Sequence, residues 1–127
     1  MPLVFAVAAG SALGGVARYL VSSALADRHS GGFPLGTLVV NIVGSFVLGA
    51  LVRYTTVAPA LSPMLRLLIG AGFCGGFTTF SAFSVETLDL VQRGEHTRAL
   101  LYVSLSIVTG LAAAVAGMSL AATFVER

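Results

Sequence analysis

Residues 70–84, Gly70-Ala-Gly-Phe-Cys-Gly-Gly-Phe-Thr-Thr-Phe-Ser-Ala-Phe-Ser84, place a glycine pair, hydroxyls and aromatics inside a stretch that is otherwise apolar enough to cross a membrane. A span that served only as an anchor would have no use for that composition. Gly75-Gly76 followed by Phe77-Thr78-Thr79 is poor material for an unbroken helix, and a break at this depth frees amide and carbonyl groups that must find partners. Such backbone is tolerated where it is buried in protein or binds an ion, and free carbonyls suit a hard cation such as Na+. A packing kink without an ion is the competing reading.

The membrane assignment follows from composition. Hydrophobic residues make up 57% of the 127-residue chain and charged residues 9%, and the mean hydropathy is +0.98. A soluble domain of this size has too little interior to bury such a surplus. Helices of roughly 20 apolar residues cross a bilayer core, and four segments qualify, at about 3–25, 35–57, 63–92 and 97–124. Turn residues separate them: Asp27 to Pro34, Pro59 to Pro63 and Gln92 to His96. The expectation is an all-α membrane protein, with residues 1–127 forming a single four-helix transmembrane domain. Ala24-Leu25-Ala26 has the form of a signal-cleavage site, but no Lys or Arg precedes the apolar run and Arg18 interrupts it, which favours a retained first helix.

Charge and reactive residues narrow the function. Cys74, the only cysteine, excludes an intrachain disulfide and a thiolate cluster, and reads as a packing residue. His29 and His96 fall in connections and read as solvated. No catalytic triad or P-loop is present. A net charge of +2 spread over seven arginines makes no nucleic-acid surface. Four spans put Arg53, Arg66 and Arg127 on one side and Arg28, Arg93 and Arg98 on the other, with Arg18 near the latter. The positive-inside rule has almost nothing to act on. Two oppositely inserted copies forming an antiparallel pair are therefore expected, against the alternative of a weak bias with a partner that sets orientation. Two copies of the break at the pair's axis could offer a shell of carbonyl oxygens to one structural cation.

Small and polar residues distinguish contact faces from a possible path. Gly10, Gly14, Gly15, Gly44, Gly49, Gly110 and Gly117 read as helix-packing positions. Thr37, Asn41 and Ser45 recur every four residues on the second span, and Tyr102, Ser106 and Thr109 form a second stripe on the fourth. Interhelical hydrogen bonding and pore lining both account for the stripes. After the break, Thr79, Phe80, Phe83, Ser84, Glu86 and Thr87 fall on roughly one half of a helix circumference at ~100° per residue. A phenyl ring has a positive edge that can meet an anion where water is scarce. With no intramembrane lysine, the path suits a small anion that accepts hydrogen bonds.

The chain resembles the Fluc-type fluoride channels, the CrcB-like family, along its full length. Gly14-Gly15-Val16-Ala17-Arg18 is similar to the family's first-helix motif, and Gly36-Thr37 through Asn41 to Gly44 to its second. Gly72 through Gly75-Gly76, Thr78-Thr79-Phe80-Ser81, Phe83-Ser84 and Glu86-Thr87 is similar to its third. The resemblance implies a dual-topology homodimer with two antiparallel fluoride pores in the bacterial cytoplasmic membrane, exporting fluoride passively and having no enzyme activity. It implies that Phe80, Phe83, Asn41, Thr37, Ser81, Tyr102 and Ser106 line the fluoride path, with Arg18 near the pore mouth. It further implies a structural Na+ at the dimer centre on the backbone carbonyls of Gly75 and Thr78. Ala82 stands where the family often has threonine, and Gly110 where another hydroxyl is common. Two alternatives stay open: a small multidrug exporter, whose proton-coupled chemistry needs a membrane carboxylate for which Glu86 is the candidate, and a non-transporting assembly subunit.

Overall fold

The computed structural model describes residues 1–26, 32–57 and 61–125; Arg28, His29 and Arg127, assigned above to connections or a terminus, lie outside the described residues. Helix α1 spans Pro2–Ala26, α2 Leu35–Val57, α3 Pro63–Leu67, α4 Gly75–Phe77, α5 Phe80–Gln92 and α6 His96–Val125. A π-helical segment, Leu68–Cys74, joins α3 to α4. The α3-to-α5 run, Pro63–Gln92, is one interrupted span, so four helical rods are long and apolar enough to cross a membrane. Among the described residues there is no strand.

Backbone proximity at small residues organises the packing. The most extensive contact is α2 along α6, where a methyl built on Gly49 would strike the Ala114 carbonyl and one on Gly117 the Phe46 carbonyl. The second is α1 against the π segment and α4, where a methyl on Gly14 would strike the Phe73 carbonyl. Gly10, Gly14, Gly44, Gly49 and Gly117 thus serve as contact positions. Within one copy Gly15 has open space around it and Gly110 faces only Ser45, so neither is a close-contact position inside the subunit. Outward faces are covered with large apolar side chains such as Phe5, Leu13, Leu100, Val108, Leu111 and Phe124. That surface is the hallmark of a chain whose solvent is lipid.

The glycine pair is helical, contrary to expectation. Gly75 sits at φ −63, ψ −37, whereas Thr78 and Thr79 are extended at φ −86, ψ 158 and φ −152, ψ 116. Glycine is used here for approach, since a methyl on Gly76 would fall 2.5 Å from the Ser11 carbonyl oxygen. Extended backbone suits the β-branched threonines.

α5 ends in a Schellman turn: the amides of Glu95 and Gly94 donate to the carbonyls of Leu90 (2.9 Å) and Val91 (3.0 Å), with Gly94 at φ 77. Outside this turn, Arg93 pairs with Asp89 at 2.7 Å and Arg98 with Glu95 at 2.7 Å, which marks a polar end of the bundle. His96 opens α6 there and is exposed. Beneath the turn, Leu38, Leu90, Ala99 and Tyr102 form the buried core.

Candidate functional site

The break is held by side chains from its neighbours. In a continuous helix the Thr79 amide would donate to Gly75 and the Ala82 amide to Thr78. Instead the Thr79 amide donates to Asn41 Oδ1 at 2.8 Å, and Ala82 donates to Thr79 Oγ1 at 3.1 Å, an N-cap that starts α5. Asn41 Nδ2 in turn donates to the Thr79 carbonyl at 3.2 Å. The Gly75 and Thr78 carbonyls are thereby released from their helical partners. Gly75 lies at the exposed surface of the subunit, and Arg18 Nη1 reaches the Thr78 carbonyl at 3.4 Å.

Beside the break lies an open groove of about 290 Å³ between α2, α5 and α6. Its walls carry Asn41, Ser45, Thr78, Thr79, Phe80, Phe83, Ser106 and Gly110. Ser106 Oγ is buried with no hydrogen-bond partner, which is costly unless a ligand or water uses it. Phe80 is 79% exposed at the rim, its ring centroid 5.6 Å from that of Phe83.

Phe83 separates the groove from a second polar cluster. Its ring lies 5.2 Å from that of Tyr102, which is fully buried (0% exposed). The Tyr102 hydroxyl donates to Glu86 Oε2 at 2.6 Å and Thr37 Oγ1 donates to Glu86 Oε1 at 2.7 Å. Glu86 and Thr37 also line a cavity of about 200 Å³ with Ser22, Phe33 and Gly36 at the end of the bundle.

The residues expected to line one path therefore fall into three places. Asn41, Phe80, Phe83 and Ser106 meet in the groove. Thr37 and Tyr102 gather on Glu86, and Ser81 points to the outside, where its Oγ lies 3.2 Å from Thr79 Oγ1. Arg18 reaches the break itself. Glu86, outside the expected path residues, organises the second cluster; its signal in the sequence was an acid within a span, on the helix half that carries Phe83. An arrangement of amide, hydroxyls and ring edges can replace the hydration of a small anion, and the released carbonyls can receive a cation.

The sequence of the chain is similar to those of known proteins. Residues 5–118 match the model of the family described as CrcB-like protein, Camphor Resistance (CrcB). A protein of Gloeobacter violaceus named fluoride-specific ion channel FluC is 49% identical over 112 residues, covering 87% of this chain and 89% of the relative. Relatives of the same name from Chlorobaculum tepidum and Methanopyrus kandleri are 48% and 45% identical, covering 95% and 91% of this chain and 95% and 86% of the relatives.

Proposed function

Since this chain belongs to the CrcB-like protein family, we propose that it is a fluoride-selective ion channel through which fluoride leaves the cytoplasm passively. The observation that carries the reading is the groove beside the break, where the unpartnered Ser106 hydroxyl, the Asn41 amide and the Phe80 and Phe83 rings face one space within the spans. The names of the relatives supply the ion. Fluoride entering as its neutral acid ionises in the cytoplasm, and the channel lets the trapped anion run down its electrochemical gradient.

Selectivity is a matter of replacing water. Fluoride holds its hydration shell strongly, so a narrow path must return donors of comparable strength. Asn41 has a second Nδ2 hydrogen beyond the one spent on Thr79, Ser106 has a free hydroxyl proton, and the phenyl edges are positive. At the second cluster the hydroxyl protons of Tyr102 and Thr37 are committed to Glu86. An anion moving past Phe83 therefore competes with that carboxylate for the same donors. Glu86 lies away from the central groove and is held by two hydroxyls, which speaks against its use as an exporter's central carboxylate.

A single copy leaves the groove open and Phe80 bare, and this supports closure by a second, oppositely inserted copy. The same pairing brings two exposed Gly75 positions to one axis. Uncharged carbonyls released from helical bonding fit Na+, and a second copy would double the donors that one subunit offers. When bound, the ion would join the two breaks electrostatically. Arg18 can share the Thr78 carbonyl with it, because that oxygen has two lone pairs.

Liposomes loaded with fluoride and containing only this protein provide the test. Expected is fluoride efflux without chloride efflux, reduced by at least about tenfold in Phe80→Ile, where a ring-edge interaction is lost. Replacing Na+ with a bulky organic cation throughout purification should lower the same rate. Absence of selective fluoride flux would sink the channel reading, and a rate indifferent to Na+ would remove the cation.

A further inference from the structure

We propose that Ser45 is a specificity-determining residue of the anion path, a hydroxyl donor on α2 that supplies the groove at the level where α6 presents Gly110. The inference rests on the channel reading above. Ser45 lies one helical turn beyond Asn41, on the wall that α2 presents to Ser106 and Gly110.

Hydroxyls in membrane helices commonly return their proton to a carbonyl on the preceding turn. Among the described residues of the spans, Thr78 does so to Cys74 at 2.9 Å, Ser84 to Phe80 at 2.9 Å, Thr87 to Phe83 at 2.7 Å and Thr109 to Leu105 at 2.5 Å, and Thr55, Thr56 and Thr123 bond the carbonyl three residues back. The two serines in the groove do not. Ser106 Oγ is buried and unpartnered, and among the described residues Ser45 makes no hydrogen bond either. Two hydroxyl protons on facing helices are thus left for whatever occupies the groove, and the occupant they fit is a small acceptor of high charge density.

Gly110 explains why the donor comes from α2. A Cβ built on Gly110 would lie 3.9 Å from Ser45 Oγ, an ordinary contact that leaves room for a side chain. α6 therefore offers Ser106 but nothing one turn later, and Ser45 fills that level from across the groove. Because the two positions face one another, a hydroxyl moved from 45 to 110 would serve nearly the same point.

Four proteins test this in the fluoride-efflux assay: wild type, Ser45→Ala, Gly110→Ser, and Ser45→Ala combined with Gly110→Ser. Loss of one hydrogen bond to a charged ligand is expected to slow Ser45→Ala by about tenfold, and Gly110→Ser in the same chain should restore most of the rate. A general packing role for Ser45 would not predict that rescue. Ser45→Cys keeps the volume with a weak donor and should fall between wild type and Ser45→Ala. Undiminished flux in Ser45→Ala overturns the proposal, as does a loss that Gly110→Ser leaves unrepaired in protein that elutes and melts like wild type. Wild type without fluoride flux overturns the channel reading itself, so the two failures are distinct.

Discussion

Asn41 meets Thr79 through both ends of its amide, Oδ1 accepting from the backbone N–H and Nδ2 donating to the carbonyl. A side chain from α2 thereby supplies the pairing that the broken span has lost. The physical consequence separates two substitutions. Asn41→Leu orphans both backbone groups, at about 1–3 kcal/mol each, and should lower the apparent melting temperature in detergent by several degrees. Asn41→Asp keeps the acceptor for the amide and puts a negative charge beside the groove. Its melting temperature should fall less than that of Asn41→Leu, while its fluoride flux falls just as far. Equal stability of wild type and Asn41→Leu would show that the break does not depend on this pairing. The polar stripe through Thr37, Asn41 and Ser45 was legible because hydroxyls and amides are rare in apolar spans. That Asn41 binds backbone while Thr37 binds Glu86 was not, since spacing along one helix carries no information on which partner the facing helix offers.

Among the elements, the third span departs furthest from its sequence reading. Its limits were plain from hydropathy, whereas the position of the break was misplaced onto Gly75-Gly76. Intrinsic propensity makes glycine the helix breaker, but α1 lies so close that Gly76 is needed where the chain is helical, and the extended conformation falls to Thr78 and Thr79. The π segment ahead of it had no signal in the sequence. α1 supplies a matched pair for testing this contact: Gly14 abuts the Phe73 carbonyl and Gly15 faces open space. Gly14→Ala should destabilise the protein by about 1–3 kcal/mol through overpacking, read as lost monodisperse yield and a lower melting temperature. Gly15→Ala should be close to neutral. Equal behaviour of the two variants would remove close α1 approach as the reason the glycine pair stays helical.

At the scale of the whole molecule, a groove with polar walls opens sideways and Phe80 stands bare at its rim. In the sequence the arginines divide nearly evenly between the two sets of span ends. Reporter fusions to the C-terminus should therefore signal from both sides of the membrane, and a single orientation would exclude the inverted pair. The sequence by itself determined that the chain has four segments long and apolar enough to cross a membrane, that the third is interrupted and which family it resembles. These follow from local composition, because lipid demands uninterrupted apolar length and tolerates breaks only where protein receives them. Only the tertiary structure decided that the break lies at the threonines, that Glu86 gathers Thr37 and Tyr102, and that Ser45 faces Gly110. Each of these is a choice of partner between helices. Partners are set by how closely backbones approach at Gly14, Gly49, Gly76 and Gly117, a distance that no single helix encodes.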